Sequence, residues 1–183
     1  MYKRLIFCLC LMLAICFLGC SRYRNGTVNI DNGTENLTEL TEHLITLYLS
    51  QWAEIYQITL ESYLAQDTAL NENIEFIAID FSTLELANDD DKKQIVIWFE
   101  KKYMPVIDTN LDGLREEGLF DEDHMYIPNG VLLTIEKVTE GNNEIIIQGM
   151  KYRGGRAANW FETKWLFNNR IWEFNETIMT GIS

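Results

Sequence analysis

The stretch WFETKWLFNNRIWEFNETIM, residues 160–179, decides the fold because the character of its side chains alternates with a period of two. Such alternation over residues 160–167, and again over residues 170–179, predicts two β-strands that each bury one face. The Asn168-Asn169 pair between them favours a tight two-residue hairpin turn. In the first strand Phe161, Thr163, Trp165 and Phe167 are predicted to share one face, and in the second Trp172, Phe174 and Ile178 are predicted to share one.

The same period extends back along the chain to Gly130. Residues 131–138 and 145–152 are predicted to be two further strands, joined by the polar turn of residues 140–143. The Gly154-Gly155 pair lies in the loop that leads to the strand beginning at Trp160. Because short connections join antiparallel neighbours, we expect a four-stranded meander with one face covered by helices.

The N-terminal half has a helical period instead. Apolar side chains recur at helical spacing from residue 37 to about residue 65, which predicts one long helix, or two with a break near Ser50. Residues 74–81 are predicted to form a strand. A second helix is expected between the acidic segment that follows Asn88 and Pro105, since acidic residues at its start and lysines at its end suit the helix dipole. The sequence therefore predicts an α+β domain, with a long N-terminal helix (or helix pair) and a second helix packed on a curved antiparallel sheet.

The first twenty residues differ in kind from the rest. Lys3 and Arg4 precede an apolar run, residues 5–18, which is shorter than the roughly 20 residues needed to span a bilayer. Gly19 and Cys20 follow directly. This arrangement resembles a bacterial lipoprotein signal, in which the chain is cut before the cysteine and a lipid is attached to its thiol. The resemblance implies lipidation of Cys20 and attachment to the cell membrane on its extracytoplasmic face.

The sequence divides into three parts on this reading. Residues 1–19 are predicted to be a signal peptide, and residues 20–36 a lipidated cysteine followed by a polar, flexible tether. Residues 37–183 form one domain. The cysteines all precede this domain, so it has no thiol for a disulfide, a thiolate zinc site or a nucleophile. They are Cys8, Cys10, Cys16 and Cys20.

The charge of the chain restricts its partners. Fifteen basic and 28 acidic residues give a formal net charge of −13. Such a surface repels phosphate backbones, so the sequence predicts no binding to nucleic acid. Cationic ligands or peptides are the partners that this field attracts. No cofactor is predicted.

The order of the predicted elements resembles the NTF2-like or cystatin-like α+β folds, in which a curved sheet cups a long helix. The run Tyr152-Arg153-Gly154-Gly155, together with residues 76–80 and 179–183, also resembles a group of small lipoproteins from Firmicutes, over the chain from about Tyr56 onward. Relatives in that group are sometimes labelled as permeases of peptide ABC transporters. A permease is implausible for this chain, since the sequence contains no apolar span after its signal.

Two sets of residues are candidates for ligand binding. Arg153 and Arg156 flank the two glycines, and their guanidinium groups are suited to a carboxylate or phosphate. The alternative is a hairpin end or bulge in which glycine supplies a positive φ. The second set is aromatic: a cavity between sheet and helix could be lined by Trp160, Trp165 or Trp172, although aromatic residues in strands are more often plain core.

One acidic segment and one acidic residue are candidates for other chemistry. Asp108, Asn110 and Asp112 copy the first half of a calcium loop, but Leu119 stands where a bidentate Glu should close the cage. A short helix capped by Asp108 or Thr109 and ended by Gly118 is therefore favoured over calcium. Asp80 lies in an apolar strand and could serve an enzyme as general base, but no nucleophile or paired acid lies near it in sequence.

Three functions remain open at this point. The favoured one is a lipid-anchored, non-enzymatic binding or accessory domain whose ligand the sequence does not specify. The alternatives are a carboxylate-dependent enzyme with an NTF2-like cavity and an envelope or toxin-protection protein that acts through its surface. Fold class alone does not choose between them.

Overall fold

The computed structural model describes residues 51–183, and the first of these form a helix. This helix, α1, covers residues 51–65 and confirms that part of the long helix predicted from the sequence. The predicted signal peptide, Cys20, the tether and residues 37–50 of the predicted helix lie outside the described residues. The elements after α1 are a 3-10 helix (Thr68–Asn71), β1 (Phe76–Ile79), a 3-10 helix (Phe81–Thr83), α2 (Asp89–Lys102), β2 (Val106–Asp108), α3 (Leu111–Glu116), β3 (Gly130–Glu140), β4 (Glu144–Gly154), β5 (Ala157–Asn168) and β6 (Ile171–Ile182).

The strands form one six-stranded sheet in the order β2-β1-β3-β4-β5-β6. The four C-terminal strands pair antiparallel, so the predicted meander and the α+β class are confirmed. The prediction of a wholly antiparallel sheet is wrong, because β1 pairs in parallel with both β2 and β3. The segment containing α2 returns the chain to the end of the sheet where β1 began, which is what a parallel neighbour requires. With three residues, β2 is too short for its periodicity to be visible.

The start of α2 follows the predicted capping pattern. Oδ1 of Asn88 accepts hydrogen bonds from the backbone N–H groups of Asp90 and Asp91, at 2.8 and 3.0 Å. The Asp91 carboxylate accepts in turn from the backbone N–H of Asn88 at 3.1 Å, which completes a capping box. Asp91 is buried, and this burial raises the pKa of its carboxyl group, an effect that the bond from Asn88 opposes.

Apolar side chains cover the two faces of the sheet to different extents. Helices α1 and α2 pack on one face against residues of β1 and β3–β5, and Tyr56, Leu60, Ile95 and Phe99 are fully buried there. The opposite face, called the outer face below, has a smaller cluster around Leu114 and Ile127 that reaches Leu132 and Tyr152. The outer side chains of β5 and β6 belong to neither cluster.

One predicted face of β6 is wrong. Trp165 pairs with Phe174 and Lys164 pairs with Glu176, so Asn175 is an extra residue that forms a β-bulge. The bulge shifts the alternation, because the residues after it point to the opposite face from the one predicted. Ile178 therefore lies on the outer face, 48% exposed, and not beside Trp172 and Phe174 as expected.

The hairpin turn between β5 and β6 lies one residue later than predicted. Asn168 pairs with Ile171, so the turn consists of Asn169 and Arg170. Their φ angles are 50° and 71°, and positive values at both positions are those of a type I′ turn.

The short helix α3 is confirmed, but its cap is not the one expected. Oδ1 of Asn110 accepts from the backbone N–H of Gly113 at 3.0 Å and so caps the helix. The prediction of Asp108 or Thr109 as the cap is wrong because Asp108 still pairs with β1. Gly118, with a φ of +71°, follows the end of the helix as predicted.

Candidate functional site

A groove of about 390 Å³ lies against the meander and opens to its outer face. Residues from all four strands line it: Glu136, Gln148, Gly149, Trp160, Phe161, Thr180 and Gly181. The largest of these side chains on the outer face is Trp160, which is half-buried, so solvent reaches part of its indole ring. The groove therefore combines one accessible aromatic ring with carboxylate, amide and hydroxyl groups.

Two β-bulges shape this groove. In β3, Ile135 pairs with Gly149 and Lys137 with Gln148, which leaves Glu136 as the extra residue. In β6 the extra residue is Thr180. A bulge bends its strand and redirects the side chains near it, so the bulges in β3 and β6, which lie on either side of β4 and β5, shape the depression between them.

Gly181 keeps one side of Trp160 open. The two residues pair across β5 and β6. A Cβ atom on Gly181 would lie 3.4 Å from Cε3 of Trp160, which is ordinary contact distance. Any larger side chain at this position would cover the indole, whereas glycine leaves it reachable from the β6 side.

Carboxylates outnumber cations around the groove, although the exposed Lys137 lies beside it, opposite Gln148. Glu136 is exposed at its wall, and Glu162 accepts a hydrogen bond from Nε2 of Gln148 at 3.0 Å. Lys164, on the same face, forms an ion pair with Glu144 at 3.0 Å, so its charge is already balanced. An indole ring beside carboxylates attracts a cation, because the ring face is electron-rich and the carboxylates add charge attraction.

The other predicted tryptophans do not line this groove. Trp165 is 2% exposed in the helix-covered core, where its Nε1 donates to Oγ1 of Thr59 at 3.0 Å. Trp172 packs against the same core beside Phe167, with ring centroids 5.0 Å apart. The core side chains occupy the space where the sequence suggested a cavity between sheet and helix. Of the three candidates, Trp160 reaches the groove.

The structure places Arg153 and Arg156 in different surroundings. The Arg153 guanidinium donates to the backbone carbonyls of Leu70, Glu72 and Pro128, at 3.1, 2.7 and 3.0 Å. It therefore holds two loops against β4, and the N–H groups that make these bonds are not available to a ligand. Arg156 is exposed in the two-residue turn between β4 and β5.

The glycines beside Arg153 belong to a hairpin end with a bulge, which was the alternative considered from the sequence. Arg153 is the extra residue of this bulge and has no pairing partner in β5. Neither Gly154 nor Gly155 has a positive φ, so that part of the expectation is wrong. Gly154 is needed instead because a Cβ there would lie 2.7 Å from Cβ of Tyr126.

Lys151 is a buried cation that the sequence reasoning missed. Its Nζ donates to the carbonyls of Leu64, Gln66 and Asp67 at 3.2, 2.7 and 3.0 Å, where α1 ends. Burial lowers the pKa of Lys151 to about 8, and the nearby Asp67 carboxylate opposes that shift. The alternation of β4 indicates this burial, because Lys151 lies on the same face of the strand as the buried Ile145 and Ile147.

The segment that resembles half of a calcium loop has structural contacts. Asp108 ends β2, Asn110 caps α3, and Asp112 forms an ion pair with Arg115 at 2.9 Å. Within residues 51–183, no group of three or more His, Cys, Asp or Glu side chains is placed to hold a metal ion.

Asp80, the residue considered as a general base, caps the 3-10 helix after β1. Its Oδ1 accepts from the backbone N–H of Ser82 at 3.1 Å and from the Ser82 hydroxyl at 2.5 Å. The carboxylate is thus engaged within its own turn, and it is not among the residues that line the groove.

Known proteins do not supply an assignment. No family model matches the chain, and no curated protein or solved structure matches it. In the part of the chain that the structure describes, no helix is long and apolar enough to cross a bilayer.

Proposed function

We propose that the chain is a lipid-anchored, extracytoplasmic, non-enzymatic domain that binds a cationic ligand in the groove at Trp160. The observation that supports this most strongly is the half-buried indole, left open by Gly181 and bordered by Glu136. A shallow site of this kind holds a ligand by contact and charge.

The preference for a cation follows from the charges around the site and over the whole chain. Glu136 and Glu162 lie at or beside the groove and outnumber Lys137, which lies opposite Gln148, while Lys164 is paired with Glu144. The formal net charge of −13 adds a long-range attraction that concentrates cations near the surface. The same field disfavours phosphate or carboxylate ligands.

The proposed anchor is the lipid on Cys20. A flexible tether over residues 21–36 would let the domain of residues 37–183 sample ligand in the space outside the membrane. Replacing Cys20 with Ala tests the anchor by metabolic labelling with an alkyne fatty acid. We expect label on the unaltered protein and none on Cys20→Ala, whereas equal labelling of both would contradict the anchor.

We also propose the finer fold assignment, an NTF2-like or cystatin-like domain related to the small lipoproteins from Firmicutes. It is supported by α1 lying on the sheet that ends in the antiparallel meander. Bulges at Glu136, Arg153, Asn175 and Thr180 would give that sheet the curvature such folds have.

The binding proposal is tested with small cations that are too short to interact with a whole strand. Spermidine and a blocked arginine amide are titrated into the full-length protein in non-ionic detergent at low salt, with tryptophan fluorescence as the readout. We expect saturable binding that weakens as salt is added, because charge attraction is screened.

Trp160→Ala should weaken this binding at least about tenfold, the equivalent of about 1.4 kcal/mol. Leu166→Ala is the matched control, since Leu166 is half-buried on the same strand and face but does not line the groove. The proposal is wrong if both variants bind the cations as the unaltered protein does.

A further inference from the structure

We infer that the ligand is an extended basic peptide that adds a strand along the free edge of β6 and directs one Lys or Arg side chain to Trp160. This inference rests on the proposed function and names the chemical class of its ligand. It combines the position of β6 at the edge of the sheet with the opening that Gly181 leaves beside the indole.

The two edges of the sheet differ greatly in length. At one edge β2 has 3 residues, and at the other β6 has 12. Among residues 51–183, β6 pairs with β5 along one edge, and no strand pairs with its other edge. A long edge of this kind presents a row of backbone N–H and C=O groups to an incoming strand.

β6 lacks the lysines and prolines with which edge strands commonly resist pairing. Its sequence, IWEFNETIMTGI, contains no Lys, Arg or Pro. Several of its apolar side chains are exposed: Ile171, Phe174, Ile178 and Ile182. The bulges at Asn175 and Thr180 still leave a regular stretch, Glu176–Met179, between them.

Charge favours a basic peptide over a second copy of the chain. The charged residues of β6 are Glu173 and Glu176, both exposed. A copy with a net charge of −13 would be repelled along this edge, whereas alternating Lys or Arg side chains would be attracted.

Strand geometry connects the edge with the groove. Neighbouring strands lie about 4.8 Å apart, so an added strand would run roughly 10 Å from the backbone of Trp160. Across from Gly181 no side chain intervenes, and the four-carbon stem of a lysine can span that gap to bring its ammonium group within about 6 Å of the indole. Gly181 lies two residues beyond the regular stretch Glu176–Met179, so a peptide paired with that stretch would pass the bulge at Thr180 to place its lysine beside Trp160.

The inference is tested with a short, blocked peptide of alternating Lys and Val and with its copy N-methylated at alternate residues. Both are titrated by calorimetry into the full-length protein in non-ionic detergent. N-methylation removes backbone donors while retaining charge and side chains, so we expect it to weaken binding at least about tenfold. Hydrogen exchange should show added protection of amides in Ile171–Ile182.

Two variants separate strand pairing from the groove. Gly181→Val fills the opening beside Trp160 and should weaken binding of the peptide about tenfold, with circular dichroism confirming that the variant is folded. Leu166→Ala should bind the peptide normally. Equal affinity for the methylated and unmethylated peptides, or no added protection in β6, would overturn strand addition. In either case Trp160-dependent binding of spermidine would still support the proposed function, and its absence would show that the proposed function fails as well.

Discussion

Replacing Arg153 with Met tests whether this residue supports the fold or binds ligand. Its guanidinium makes three hydrogen bonds to the carbonyls of Leu70, Glu72 and Pro128. Each such bond contributes about 1 kcal/mol, so the variant should lose about 3 kcal/mol of the free energy of unfolding. Arg153→Lys should lose a large part of the same energy, because an ammonium group cannot reproduce the fork of the guanidinium.

Urea unfolding followed by tryptophan fluorescence measures this effect. With a denaturant slope of about 2 kcal/mol/M, a loss of 3 kcal/mol moves the midpoint down by about 1.5 M. Arg156→Met is the control, since Arg156 is exposed and its replacement should change stability by less than about 0.5 kcal/mol.

The reasoning is refuted if Arg153→Met unfolds at the same urea concentration as the unaltered protein. It is also refuted if Arg153→Met keeps full stability but loses spermidine binding, because Arg153 would then act on the ligand and not on the loops around Leu70 and Pro128.

Three further changes have expected outcomes. Tyr56→Phe should raise the free energy of unfolding at pH 7 by about 1 kcal/mol, because the buried hydroxyl faces the Leu86 backbone but makes no hydrogen bond of acceptable geometry. Tyr63→Phe should lower the free energy of unfolding by about 1 kcal/mol, because it loses the hydrogen bond from the Tyr63 hydroxyl to the Ile147 carbonyl. Urea unfolding distinguishes the two variants, and equal effects would contradict the hydrogen bonding described for both tyrosines. Burial raises the pKa of Tyr56 to about 12, so above pH 10 the unfolded chain loses a proton that the folded chain keeps. The contribution of this ionisation to the free energy of unfolding is therefore complete below pH 10 and falls by about 2.7 kcal/mol towards pH 12. Tyr56→Phe should not show this part of the loss of stability at alkaline pH. Arg170→Gly should raise the free energy of unfolding by about 1 kcal/mol, since glycine adopts the φ of 71° without strain. The midpoint of thermal unfolding should rise with it, and a lower midpoint would contradict the turn geometry.

Periodicity predicted most of the secondary structure because it reports burial directly. Residues 160–167 alternate as β5 does, and the acidic segment after Asn88 forms the first turn of α2 as expected. The pattern fails at bulges, since one inserted residue in β6 reverses the face of Ile178. It fails also for β2, whose three residues are too few to show a period.

The candidate site was predictable only in part, for a reason of geometry. Trp160 could be singled out as a tryptophan in a strand, but its open side depends on Gly181 and on the bulge at Thr180, some twenty residues away in the chain. Arg153 was the opposite case: its charge suggested a ligand, while the carbonyls that bind it come from loops distant in sequence. Pairing between distant segments is the information that a single sequence does not supply.

Fluorine NMR of the protein labelled with 5-fluorotryptophan tests the central claim most directly. The chain has 5 tryptophans, and Trp160→Phe identifies the signal of Trp160. On addition of spermidine we predict a saturable shift of this signal, with the signal of the buried Trp165 nearly unchanged. An unchanged Trp160 signal at saturating spermidine, or a shift confined to another tryptophan such as Trp98, would contradict the proposed binding site.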